Sequence, residues 1–151
     1  MYKLILSMIL SFLVSLPVIA DSDDGLVSLA SAHDVNITAD RLEKILTRKG
    51  MTIFSRINHA KGAEKIGETL LPTELVIFGN PKVGAPLMQC GQSIAIDLPQ
   101  KVLIWQDATG QTWLSYNDPN YLAKRHNIKG CDEIVAKMVR ALGAFAKVAT
   151  M

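Results

Sequence analysis

An α+β domain, a mainly antiparallel sheet with helices packed on one face, is the fold class the sequence predicts, and three observations carry it. A β-hairpin reads clearly over residues 101–116, the chain ends in a long amphipathic helix, and the segments between do not follow the regular βαβ repeat of a doubly wound fold. A hairpin demands antiparallel pairing, and helices laid over one face of such a sheet are the consistent way to bury their apolar stripes. At 151 residues, 49% hydrophobic and 20% charged, the chain is sized for one domain with a buried core. A formal charge of +2 gives no concentrated basic face, so nucleic acid is not an expected partner.

Residues 1–20 read as an export signal. Lys3 precedes the apolar run 4–16, Pro17-Val18-Ile19-Ala20 offers small or branched residues where a signal peptidase reads, and the acidic stretch Asp21-Ser22-Asp23-Asp24 follows. An uncleaved anchor is the competing reading, because the segment 4–20 sits at the short limit for spanning a bilayer. No cysteine follows the run and no Arg-Arg pair precedes it, which sets aside the lipoprotein and twin-arginine routes. Cleavage after Ala20 predicts a periplasmic or secreted protein that meets a membrane only during export. Residues 21–34 then form an N-terminal segment and first strand, and 35–151 the single domain.

The run 26–32 is short, apolar and partly alternating, which predicts the first strand. A helix follows, with Thr38 as N-cap, Ile37 and Leu42 as a hydrophobic staple, and Lys49-Gly50 as the stop. Residues 51–58 alternate as a second strand that His59 ends, and 60–68 is at best weakly helical because Gly62 and Gly67 interrupt it. Leu75-Val76-Ile77-Phe78, bounded by Pro72 and Gly79-Asn80-Pro81, has the pattern of a strand covered on both faces. The hairpin turns through Asp107-Ala108-Thr109-Gly110, a type I turn whose glycine takes the left-handed conformation. Asp118 caps the next helix with Pro119 at its first position, and Gly130-Cys131-Asp132 opens the last one, striped by Ile134, Val135, Met138, Val139, Leu142 and Phe145.

No motif announces a reaction. Gly79 to Gly84 has the glycine spacing of a phosphate loop, but Ala85-Pro86 replaces the Lys and Ser or Thr that hold phosphates and Mg²⁺, so it reads as a strand-to-helix turn capped by Asn80. His33, His59 and His126 show no metal-site spacing, and no metal or cofactor is expected. No G-x-S-x-G and no pair of carboxylates stands out. Cys90 and Cys131 reach an oxidising compartment, where a disulfide or two buried free thiols are the alternatives, and Cys131 at a helix N-terminus could be reactive. Trp105, Trp113, Tyr116 and Tyr121 gather around the hairpin, as core, dimer contact or ligand groove.

Several of these segments together resemble a known bacterial family. Phe78-Gly79-Asn80-Pro81-Lys82, Leu87-Met88-Gln89, Asp97-Leu98-Pro99-Gln100-Lys101-Val102-Leu103-Ile104-Trp105, and Tyr116-Asn117-Asp118-Pro119 with Tyr121-Leu122 and Arg125-His126 resemble domain of unknown function 302 over about residues 35–148. The resemblance implies a compact, dimer-forming α+β domain with no assigned reaction. Ala85 departs from it, since a threonine is usual there.

The expectation is therefore an exported, non-catalytic binding or interaction module, homodimeric, with a groove for a small molecule bordered by His59, Asn80, Pro81, Tyr116, Asp118 and His126. The alternative is a small periplasmic enzyme, or a thiol, haem or zinc redox protein using Cys131 or the pair His59 and His126. Convergence of His59, His126 and Asp118 in one pocket would favour a site.

Overall fold

The computed structural model describes residues 19–21 by their backbone and residues 24–151 in full; the expected export signal lies outside the described residues up to position 18. The elements run β1 (Ile19–Asp21), β2 (Leu26–Ser31), α1 (Val35–Arg48), β3 (Thr52–Asn58), α2 (His59–Glu64), β4 (Thr73–Gly79), α3 (Pro81–Cys90), a 3₁₀ helix (Gln92–Asp97), β5 (Gln100–Gln106), β6 (Thr112–Asn117), α4 (Pro119–Arg125) and α5 (Asp132–Thr150). The strands form one sheet in the order β1-β2-β6-β5-β4-β3, with every neighbouring pair antiparallel. This is the α+β architecture the sequence predicts.

Alternation along the strands gives the sheet two unlike faces. One carries Val76, Phe78, Val102, Ile104, Leu114 and Tyr116 and buries them against Leu42 and Leu46 of α1 and Leu142 and Phe145 of α5. A smaller cluster of Leu87, Ile94, Leu122, Cys131, Val135 and Met138 fills the space between α3, the 3₁₀ helix, α4 and α5. Among the described residues the opposite sheet face has no helix over it. There Trp105 pairs with Trp113 and Leu75 with Leu103, while Ile57 sits beside Leu75. Three polar side chains of this face bond one another: Trp105 Nε1 donates to Ser115 Oγ at 3.0 Å, and Ser115 Oγ lies 2.8 Å from Ser28 Oγ.

Two expectations about local structure are corrected. The first helix is capped by Asp34, whose Oδ1 accepts from the Ile37 N–H at 2.8 Å, and so begins three residues before Thr38. Thr38 is instead fully buried, bonding Ser31 Oγ at 2.7 Å and the Asp34 carbonyl, and Ile37 is exposed rather than stapled. A carboxylate and a hydroxyl four residues apart can both cap, and burial of the hydroxyl decides between them. The second correction concerns β4, which is buried on the helix face only, at Glu74, Val76 and Phe78. Its apolar run reflects the greasy open face, not a second layer of helices.

The hairpin follows its sequence signals. Gly110 has φ +87°, and its N–H donates to the Asp107 carbonyl. Asp107 accepts from the Thr109 hydroxyl and from Trp113 Nε1, which together hold its carboxyl down at about 2, so the turn keeps an ionised acceptor. Gly25, with φ +76°, is needed for a further reason: a Cβ there would overlap the ring of Tyr121, where α4 crosses the start of β2.

One charged group is set into the helix face of the sheet. The Glu74 carboxylate is 4% exposed and bonds Arg56 Nε and, at 2.9 Å, Asn58 Nδ2. The Arg56 guanidinium also reaches Asp40 and Glu43 of α1, tying that helix to β3 and β4. Burial alone would lower the Arg56 pKa, but hydrogen bonds to Asp40 and Glu74 and the charges of Glu74 and Glu43 outweigh it and raise it further.

Candidate functional site

Small residues leave a gap where four elements meet. Gly79 ends β4, Gly84 and Ala85 lie on α3, Ala95 on the 3₁₀ helix and Ala141 on α5, and between them is a cavity of about 470 Å³. Its size falls in the range of small-molecule sites, roughly 300–1,000 Å³. The walls are otherwise apolar, with Phe78, Met88, Met138 and Phe145 among them. Pro86 inside α3 leaves that helix one N–H short. A bulge between Ile53 and Ser55 turns Phe54 to the cavity mouth, where it is 55% exposed.

Polar groups in the walls are few and all can donate. Asn80 spends its Oδ1 on capping α3 at the Lys82 N–H, 2.9 Å away, and keeps its amide hydrogens. Lys137 is exposed on α5 and is the one charged residue among the described lining residues. Gln100, at the start of β5, is 8% exposed, and its Nε2 is buried with no hydrogen-bond partner among the described residues. A buried amide left unpaired costs on the order of 1–3 kcal/mol.

The walls are stapled. Cys90 at the end of α3 and Cys131 at the N-cap of α5 lie with their sulfurs at bonding distance and their Cα atoms 6.3 Å apart. Both sulfurs are thereby engaged, so Cys131 is not a free nucleophile in this structure.

A second constellation lies where α4 ends. His126 Nε2 bonds Asp97 Oδ2 at 2.6 Å, and its Nδ1 lies 3.0 Å from Ser93 Oγ. In the neutral imidazole the carboxylate favours the proton on Nε2, which leaves Nδ1 to accept from the serine. The imidazole and carboxylate are 8% and 12% exposed, while Ser93 is open to solvent. Arg125 Nη1 stands 3.4 Å from the same Asp97 oxygen.

Comparison with known proteins places the fold and the family. A family model described as domain of unknown function DUF302 matches residues 27–145, which is most of the chain. The chain belongs to the DUF302 family. A crystal structure of an uncharacterized conserved DUF302 protein from Bacillus stearothermophilus superposes with a TM-score of 0.75 at 21% identity, covering 83% of this chain and 98% of that one, and shows the shared fold. Two curated relatives are the fluoride-specific ion channels FluC 1 of Brucella suis biovar 1 (strain 1330) and FluC 1 of Brucella abortus biovar 1 (strain 9-941). Each is 41% identical over 134 residues, 88% of this chain but 53% and 50% of the channel proteins. This DUF302 chain thus spans about half the length of the curated relatives it matches.

Of the six groove residues named from the sequence, Asn80 and Pro81 line the DUF302 cavity. Tyr116 is in the core beneath the helices, where burial first and the Asp118 charge second raise its pKa. Asp118 caps α4 through the Asn120 N–H, His59 begins α2 beside the far edge of the sheet, and His126 closes α4 against the 3₁₀ helix. His59, His126 and Asp118 therefore serve three separate places, and among the described residues no group of His, Cys, Asp or Glu is placed to hold a metal ion. The sequence reading missed Gln100, Ser93 and Asp97. Gln100 sits in the Asp97 to Trp105 segment, but nothing in a polar residue at a strand start signals that it points inward. Ser93 and His126 are 33 residues apart and meet only through the fold.

Proposed function

We propose that this DUF302 protein is an exported, homodimeric, non-catalytic module that binds an apolar small molecule between α3 and α5. The observation that carries the reading is the cavity of about 470 Å³, which is almost wholly apolar and is stapled across its walls by Cys90 and Cys131. The open sheet face supports the dimer. It offers Trp105, Trp113, Leu75 and Leu103 to a copy of itself, and a twofold sheet-on-sheet contact of the ordinary size, on the order of 1,600 Å² in total, would cover them. Channel activity is not carried over from the Brucella relatives, because this chain spans only about half of their length.

Native mass spectrometry of protein purified from the periplasm tests the whole reading. The expected species is a dimer of chains beginning at Asp21, carrying a small-molecule adduct that collisional activation removes. Trp113→Asp is expected to give a folded monomer, since that side chain faces away from the helices. A bare monomer at high protein concentration overturns both the dimer and the occupied cavity, and retention of residues 1–20 on exported protein overturns the signal.

The chain Ser93–His126–Asp97 favours a second reading as an esterase-like site. Ser93 Oγ would attack an ester carbonyl, with its proton passing to His126 Nδ1 and then to the departing alkoxide, and water would release the acyl group by the same route. A fluorophosphonate that labels Ser93 in the native protein but not in His126→Ala supports it; an unlabelled native protein ends it.

A further inference from the structure

Charge in the cavity wall is confined to one place. Along α5 the lining residues are Lys137, Met138, Ala141, Leu142 and Phe145, a single helix face on which the lysine comes first and is exposed, while Met138, Leu142 and Phe145 are buried. From Lys137 to Phe145 the helix rises about 12 Å, the reach of a medium-length alkyl chain. Among the described residues no carboxylate lines the cavity, and Lys137 takes part in no ion pair. A hydrocarbon tail gains by leaving water for such walls, and the gain does not depend on what the tail carries at its end. An ionised head cannot follow the tail inward without losing its hydration, so it stays at the exposed end of the stripe. There the unpaired ammonium attracts an anion, repels a cation and is indifferent to an alcohol.

We propose that the cavity takes a single-chain anionic amphiphile, a medium-chain carboxylate, with its hydrocarbon laid along α5 against Met138, Leu142 and Phe145 and its carboxylate kept in water beside the Lys137 ammonium. This rests on the cavity being a binding site and adds the class of ligand it selects. Tail burial supplies the affinity and Lys137 supplies the choice among heads. The choice is modest, because a solvated ion pair is weak and is screened by salt.

The test uses the oxidised protein as exported, in its native form and as Lys137→Met, which keeps the unbranched stem at an exposed position and removes the charge. Decanoate, decanol and decylamine are titrated at pH 7, below their micelle-forming concentrations, against the ¹H–¹⁵N resonances of Gly84 and Ala141. Decanoate is expected to bind about two- to fivefold more weakly to the variant than to the native protein, decanol equally to both, and decylamine more tightly to the variant. The decanoate difference should shrink in high salt. An unchanged decanoate affinity, an equal loss for all three probes, or tighter binding of decylamine than of decanoate to the native protein overturns the inference while leaving the cavity a binding site. Dihexanoyl phosphatidylglycerol, an anionic lipid with two chains, is expected to bind more weakly than decanoate; tighter binding would assign the site to a membrane lipid and overturn the single-chain ligand. Failure of every probe to shift the Gly84 and Ala141 resonances overturns the cavity reading as well.

Discussion

Replacing Arg56 with methionine is expected to lower the unfolding free energy by about 3 kcal/mol, because it strips the counter-charge from a buried carboxylate. Glu74 is 4% exposed on the helix face of β4, and Arg56 is the cation that meets it. Asn58 Nδ2 remains, but one neutral donor does not replace a guanidinium. The substitution also releases α1, since the same guanidinium reaches Asp40 and Glu43. Those two contacts are nearer the surface and contribute less. Thermal unfolding followed by circular dichroism should show the midpoint falling by roughly 10 °C. The double variant Arg56→Met/Glu74→Gln should recover much of the loss, because an amide in place of the carboxylate is neutral and still able to accept from Asn58. No recovery would mean that the cost lies in lost packing of the arginine stem and not in the unpaired charge of Glu74.

Removing the Cys90–Cys131 link has the other large expected effect. The sulfurs close a separation of 41 residues, for which the loss of loop-closure entropy in the unfolded chain corresponds to roughly 4 kcal/mol. Cys90→Ala/Cys131→Ala is expected to unfold at correspondingly lower denaturant, with the native protein in reductant behaving the same way. Binding should suffer beyond stability, because the link joins the end of α3 to the start of α5 and these two helices form opposing walls of the cavity. Measured where both forms are fully folded, the double variant should hold a small apolar probe such as heptane more weakly than the oxidised protein. Equal affinity would show that the staple acts only on the unfolded chain.

What was legible in the sequence and what was not divide along local and non-local physics. The hairpin at Asp107 to Gly110, the Asn80 cap of α3 and the Asp118-Pro119 start of α4 were readable because each is settled within a few residues, by a left-handed glycine, a side-chain cap or a fixed proline φ. The first helix was misplaced at its start because Asp34 and Thr38 carry equal local signals, and only the burial of Thr38 against Ser31 distinguishes them. The candidate site was legible in part. Asn80 and Pro81 reached the cavity because the strand-to-helix turn that contains them also bounds it, whereas Asp118 and His59 do local work elsewhere.

By itself the sequence determined the α+β class, the order of the main elements and the family, because hydrophobic period, caps and turn residues act over short spans and repeat along the chain. The tertiary structure alone decided the cavity, the unpaired amide of Gln100 and the meeting of Ser93, Asp97 and His126. A void is the absence of side chains from several distant elements at one point in space, and an unsatisfied donor is defined by everything that fails to reach it. Neither has a local signature, since both are fixed only when β4, β5, α3 and α5 are packed against one another.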